Sequence, residues 1–178
     1  MMKDQLWLQV SDIFLVNDGS LPEVTFKELS VAEVSSAYQL LRQFGGGFEC
    51  NTYYWSIPEQ RDLKVLSTDR VEDIFAIADG KHFHVLILDV RSPSKLPVPT
   101  LGIGVGEDWI TIDYRMGLEW TPDAVFGFFE IVSALQDLTM ASTITHGVNA
   151  NDPGGRRFIA SLRDWRNTSY GGRGASSV

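Results

Sequence analysis

The sequence predicts a single α+β domain with a largely antiparallel sheet of about six or seven strands and three or four helices packed on it. Three observations favour this class. Hydrophobic residues fill 44% of the 178 positions, which is enough for one sizeable core. Alternating polar and apolar runs flank short turns, as in hairpins, and capped segments of helical period lie between them. We expect residues 1–168 to form the domain and residues 169–178 to be a flexible tail.

The first elements are predicted from β-forming residues and turn chemistry. Leu6 to Val16 is rich in β-formers and predicts a strand. The turn sequence NDGSLP follows at residues 17–22, and Glu23 to Lys27 then alternates polar and apolar side chains. We therefore expect two strands here, the second with one solvent-facing side.

Two helices and an aromatic strand are predicted next. Ser30 and Glu33 form a capping box at the start of a helix that Gly45–Gly47 ends. The run TYYWSI at residues 52–57 predicts a strand, because aromatic residues favour strands and a proline follows directly. A second amphipathic helix is predicted at about residues 69–79, ending at a glycine.

A further strand is predicted from Lys81 to Val90. Its residues 85–88 are apolar at every position, which suits a central strand covered on both faces. Three prolines between residues 91 and 99 make the following connection irregular, since proline cannot donate a backbone hydrogen bond.

The stretch LGIGVGEDWITIDYR, residues 101–115, carries three alternate glycines and raises the question of a phosphate-binding loop. Such a loop needs its glycines after a strand and before a helix. Here the glycines alternate with apolar residues inside a strand, and a second alternating run follows the turn at residues 106–108. The pattern predicts a hairpin without a phosphate site. A large ring such as Trp109 or Trp120 is a candidate to lie over the glycines.

The last elements begin with the clearest helix in the chain. Thr121 caps it, a proline occupies its first turn, and it is apolar around most of its circumference, so we expect it to pack centrally on the sheet. Ser142 to His146 predicts a strand, and Asp152–Pro153 begins a final helix. The predicted order is therefore β-β-α-β-α-β-β-β-α-β-α.

Charge limits the classes of partner. The net charge is −8, which repels nucleic acids and anionic membranes and favours a basic partner. Five arginines against two aspartates give residues 151–178 a charge of +3, which leaves −11 for residues 1–150. Three arginines of the last helix form a basic stripe that the acidic remainder or solvent can satisfy. No apolar run reaches membrane-spanning length, and polar residues interrupt the start of the chain, so we expect a cytoplasmic protein.

Candidate catalytic and metal-binding residues do not form a recognisable set. His82 and His84 share one strand face, and His146 near the end of another strand is a conceivable third ligand, but this spacing is a weak zinc signal. Cys50 is the single cysteine, has no nucleophile signature around it, and is expected to be a buried or half-buried structural thiol. We expect no catalytic residues, no metal and no cofactor.

Aromatic density is the strongest indication of a binding surface. Three consecutive rings start at Tyr53 and must present at least one ring to each face of their strand. Either a helix covers the second face, or exposed tyrosine and tryptophan rings are available to a partner. Asp113 and Arg115 are expected to form a surface pair or a cross-strand ladder. The candidate binding residues are Tyr53, Tyr54, Trp55, Trp109, Asp113, Arg115 and Trp120.

These observations leave three functional hypotheses. The first is a non-catalytic protein-binding domain, an inhibitor or immunity-type partner of a basic protein. In general style the chain resembles small acidic bacterial immunity proteins, although no family motif matches. The second is a small enzyme or ligand carrier with a pocket near Asp113, Arg115 and the histidines. The third is a self-associating structural component.

Overall fold

The computed structural model describes residues 2–49, 53–66, 68–139, 143–147 and 152–170, which fold into five helices and eleven strands. The helices are α1 (Met2–Leu15), α2 (Val31–Phe44), α3 (Val71–Ile77), α4 (Pro122–Leu138) and α5 (Pro153–Tyr170). The strands are β1 (Glu23–Lys27), β2 (Gly47–Glu49), β3 (Tyr53–Ser56), β4 (Arg61–Lys64), β5 (Ala78–Asp79), β6 (Phe83–Leu88), β7 (Val90–Arg91), β8 (Pro97–Val98), β9 (Leu101–Val105), β10 (Trp109–Tyr114) and β11 (Thr143–His146).

A six-stranded antiparallel sheet is the centre of the fold. Its strand order is β11-β1-β10-β9-β6-β2, and every neighbouring pair is antiparallel. Two smaller sheets have the orders β4-β3-β5 and β7-β8. The predicted α+β class and largely antiparallel sheet are confirmed. The helix count is larger than predicted, because the first element is a helix.

The prediction of a strand at Leu6 to Val16 is wrong, since residues 6–15 lie in α1. Leu6, Val10 and Phe14 are buried at four-residue spacing, which places them on one side of a helix. The Phe14 ring lies 5.0 Å from Tyr114 and 4.7 Å from Trp120 between centroids. Burial of this apolar side overrides the β-propensity of the individual residues.

Two strand predictions concern which faces meet solvent. β1 was expected to have one solvent-facing side; on that side Lys27 is exposed and Glu23 is half-buried, while Thr25 is buried between its neighbours on β10 and β11. β6 was expected to be covered on both faces, yet Leu86 and Leu88 are only half-buried. The prediction for β6 is wrong, because these two leucines point away from the side of the sheet on which the described helices pack.

The helices pack on one face of the six-stranded sheet. Tyr114 of β10 contacts Phe14 of α1 and Phe128 of α4, and His146 of β11 stacks on Phe158 of α5. On the same face, next to β9 in the sheet, the ring of Phe83 in β6 contacts Tyr38 of α2 and Phe75 of α3. The opposite face carries the polar and glycine residues of the alternating strands. We call this second side the open sheet face; it includes Gly102, Gly104, Thr111, Asp113, Trp109, His84 and Thr25.

Some predictions concern residues outside the described part of the chain. Cys50, expected to be a structural thiol, is one of them. The predicted tail lies outside it from residue 171 onward, and α5 continues to Tyr170. Among the helices of the described ranges, none has the length and apolar character needed to cross a membrane.

Candidate functional site

An exposed aromatic pair lies on β3, the central strand of the small sheet. The strand alternates between exposed and buried residues, so Tyr53 and Trp55 face solvent at 56% and 46% exposure. Tyr54 and Ser56 face inward. Three consecutive aromatic residues therefore provide one core ring and two surface rings, as the two-residue period of a strand requires.

Two carboxylates flank the exposed tryptophan. Trp55 is paired across the strands with Asp62 of β4 on one side and with Asp79 of β5 on the other. Directly opposed residues point to the same face of a sheet, so the indole lies between two exposed acidic side chains. Ile57, immediately after the strand, is also exposed. We call Tyr53, Trp55, Ile57, Asp62 and Asp79 the acidic aromatic surface.

The region around this surface has an excess of negative charge. Residues 53–79 contain six acidic and three basic side chains. Arg61 forms a salt bridge with Glu59, and Arg70 lies 3.7 Å from Glu72, so two of the three cations are already near carboxylates. The third cation, Lys64, lies opposite Tyr53 on the same face, so this face carries Asp62, Asp79 and Lys64 and has a net charge of −1.

The glycines of β9 make room for side chains of β10. A Cβ atom on Gly102 would come closer than 3.0 Å to the Asp113 carboxylate, and one on Gly106 would come equally close to the Trp109 indole. The predicted hairpin is present, with Gly102 opposite Asp113 in β10 and the backbone N–H of Gly106 donating to the carbonyl of Trp109. β10 follows the turn directly, so the helix that a phosphate loop requires is missing at this position.

His84 and Asp113 form a polar pair across β9. The distance from His84 Nε2 to Asp113 Oδ2 is 2.6 Å, and this hydrogen bond raises the pKa of His84, against a smaller opposing effect of burial. Of the two expected arrangements, a surface pair with Arg115 or a cross-strand ladder, Asp113 adopts a cross-strand contact, because the glycines of β9 have no side chains and open a path to β6. Arg115 is exposed just beyond the end of β10.

The histidines do not converge on one site. His146 lies on the helix-covered face, where its ring stacks on Phe158 with centroids 4.2 Å apart, whereas His84 lies on the open sheet face. His146 Nε2 is 2.8 Å from the Tyr114 hydroxyl. Burial lowers the pKa of His146 to about 4, with Asp152 opposing the shift. In the described ranges, no three histidine, cysteine or acidic side chains form a group that could hold a metal ion.

Two of the candidate binding residues are buried. Trp120 is only 1% exposed and donates its indole N–H to the carbonyl of Arg115 over 2.7 Å, so it supports the core below β10. Tyr54 is also buried, and burial raises the pKa of its hydroxyl. Trp109 is half-buried over Gly106. Trp120 and Tyr54 therefore cannot contact a partner in this fold.

Asp62 and Asp79 were missed by the sequence reasoning. Their importance comes from the pairing of β3 with β4 and β5, and neither short strand was predicted. The sequence nevertheless contains a signal for each of the two strands. The turn after Ile57 leads into a second short run at residues 61–64, and Asp79 precedes Gly80, which has a φ of +76°.

Comparison with known proteins gives one structural similarity. No protein-family model matches the chain, and no curated protein matches it. Similarity is found to a chain in the crystal structure of the toxic C-terminal tip of CdiA from Pseudomonas aeruginosa in complex with immune protein. The two chains are 15% identical with a TM-score of 0.49, and the alignment covers 74% of this chain and 88% of that one. A similarity of this size carries no argument about function.

Proposed function

We propose that this protein is a non-catalytic binding domain, an inhibitor or immunity-type partner of a basic protein, in a bacterial cytoplasm. The observation that supports this proposal is Trp55, a large exposed ring between the carboxylates of Asp62 and Asp79. Tyrosine and tryptophan are the residue types that most often dominate the binding energy of protein interfaces.

The acidic aromatic surface offers two matched interactions to a basic side chain. A guanidinium or ammonium group of the partner can stack on the face of the Trp55 indole. The same cation can then lie between Asp62 and Asp79, which accept hydrogen bonds on either side. Tyr53 and Ile57 add apolar area that an interface would bury. A basic protein surface is therefore complementary to this part of the molecule in both chemistry and charge.

The charge of the whole chain supports the same class of partner. Residues 1–150 carry −11 of charge, which accelerates encounter with a basic protein and opposes approach to nucleic acid or anionic lipid. The cytoplasmic assignment is supported by the single cysteine, since no internal disulfide can form.

Affinity capture with variants of the exposed tryptophan tests the proposal. Wild-type protein, Trp55→Ala and Leu118→Ala serve as parallel baits in a lysate of the source organism. Leu118 is 90% exposed in the loop after β10 and so provides a matched loss of exposed apolar area away from the acidic aromatic surface. We expect a basic protein that is retained by the wild type and Leu118→Ala but released by Trp55→Ala.

The captured protein is then purified and its dissociation constant measured with each variant. Loss of a dominant interface tryptophan is expected to weaken binding by about 2 kcal/mol or more, about thirtyfold. Equal binding by the wild type and Trp55→Ala would refute this surface as the interface. A wild-type dimer that Trp55→Ala converts to a monomer would instead assign the surface to self-association.

A further inference from the structure

A cavity of about 780 Å³ lies beside strands β11, β1 and β10 of the six-stranded sheet and shares no lining residue with the acidic aromatic surface. It is bounded by the C-terminal end of α1, the loop before β1, the ends of β10 and β11, and the start of α5. Its volume is within the range of small-molecule sites. Three carboxylates and one cation line it, so its formal charge is −2; these residues are Asp12, Asp18, Asp152 and Arg157.

One wall of this cavity includes a buried imidazole, that of His146. His146 lines the cavity, is only 4% exposed, and makes a hydrogen bond to the Tyr114 hydroxyl through Nε2. Among the residues that the structure describes, none makes a hydrogen bond to its second ring nitrogen, Nδ1. The Asp152 carboxylate lies beside the backbone that follows His146, because a Cβ atom on Gly147 would come closer than 3.0 Å to it. Buried polar atoms without partners are rare in folded proteins, so one beside a cavity indicates a position for a bound water, ion or ligand.

The carboxylates of the cavity are held in position by neighbouring groups. Asp152 accepts hydrogen bonds from the backbone N–H groups of Gly154 and Gly155, each over 3.1 Å. Asp18 accepts one from the backbone of Ser20, and Asp12 forms a salt bridge with Arg157. A carboxylate has about four acceptor sites, so these contacts leave capacity for further donors.

We propose that this cavity binds a small organic cation with several N–H donors, a guanidinium or primary ammonium compound. One N–H of the cation donates to His146 Nδ1, while His146 Nε2–H donates to the Tyr114 hydroxyl. The positive charge lies beside the carboxylates of Asp18 and Asp152. The apolar side chains of Ile13 and Met116, which also line the cavity, accommodate the carbon chain that carries the charged group. This proposal is independent of the acidic aromatic surface.

Titration with agmatine, which carries a guanidinium and an ammonium group, tests the proposal. The full-length protein is titrated at neutral pH while long-range ¹H–¹⁵N spectra report the two nitrogens of each histidine. We expect saturable binding with a shift of the His146 Nδ1 resonance. Asp18→Asn should weaken binding at least fivefold, whereas Asp62→Asn, an equal loss of charge at the acidic aromatic surface, should change it less than twofold.

Two further ligands complete the experiment. Hexanamide, neutral and of similar length, should not bind. Acetyl-arginine-amide tests the source of the cation: binding as tight as that of agmatine indicates an arginine side chain of a protein, and binding of agmatine alone indicates a free metabolite. The proposal is overturned if agmatine leaves His146 Nδ1 unshifted at millimolar concentration, or if Asp18→Asn and Asp62→Asn weaken binding equally.

Discussion

Acidification should destabilise the protein through His146. This side chain is enclosed between Phe158 and Tyr114, and burial lowers its pKa to about 4 in the folded state. In the unfolded chain a histidine has a pKa of about 6.5. Between these two pH values the unfolded chain binds more protons at this site than the folded protein does. Stability is therefore complete above about pH 6.5 and is lost as the pH falls toward 4.

The size of the effect follows from the two pKa values. A difference of about 2.5 units corresponds to about 3 kcal/mol over the whole range, at 1.36 kcal/mol per unit. Between pH 7 and pH 5 the His146 contribution to the free energy of unfolding should fall by about 2 kcal/mol. This is a large fraction of the 5–15 kcal/mol by which proteins of this kind are stable.

Urea unfolding at pH 7 and pH 5 measures this contribution when wild type is compared with His146→Gln. Carboxylates and the other histidines are present in both proteins, so their pH dependence cancels in the difference. His82→Gln removes an exposed histidine and serves as the control. The wild type should lose about 2 kcal/mol more than His146→Gln between the two pH values. Equal losses, or a His146 imidazole that titrates near pH 6.5 in NMR spectra, would show that burial does not keep His146 neutral in the folded protein.

Two further predictions concern the open sheet face. Gly106→Ala should destabilise the fold by about 1–3 kcal/mol in urea unfolding, since its Cβ would meet the Trp109 indole. Adding Trp109→Ala should reduce that cost. If the costs of the two substitutions simply add, the indole is not what Gly106 makes room for. His84→Gln should cost more stability at pH 5.5 than at pH 8.5. Asp113 raises the pKa of His84 in the folded state. The contribution of His84 to stability is therefore complete below its pKa in the unfolded chain and is lost as the pH rises through its pKa in the folded protein. A cost that is independent of pH would show that His84 and Asp113 do not form a charged pair.

Local chemistry explains why much of the fold was predictable. The capping box predicted at Ser30 and Glu33 is present, with each residue bonding the other's backbone, and Thr121 accepts the backbone N–H of Ala124 at the start of α4. The hairpin around residues 101–115 was predicted from its two-residue period. These signals act within a few residues of sequence, so the chain itself contains them.

Long-range packing explains what was missed. The helical side formed by Leu6, Val10 and Phe14 competes with β-forming residues at the same positions, and contact with Tyr114 decides in favour of the helix. The pair between His84 and Asp113 depends on strands far apart in sequence with a glycine between them.

The same limit applies to the candidate site. The exposed rings of Tyr53 and Trp55 follow from strand alternation, whereas the two carboxylates beside Trp55 depend on the register of three short strands. Burial of Trp120 depends on the position of α1, a segment whose residues predicted a strand.

The dissociation constant of the captured basic protein, measured for wild type and Trp55→Ala at low and moderate salt, shows whether Trp55 is at the centre of the interface. We expect about thirtyfold weaker binding by the variant, with urea stability unchanged to within about 0.5 kcal/mol, and wild-type binding that weakens as salt rises. Equal binding by the variant and the wild type, or wild-type binding that does not change with salt, would show that a basic partner does not bind at the acidic aromatic surface.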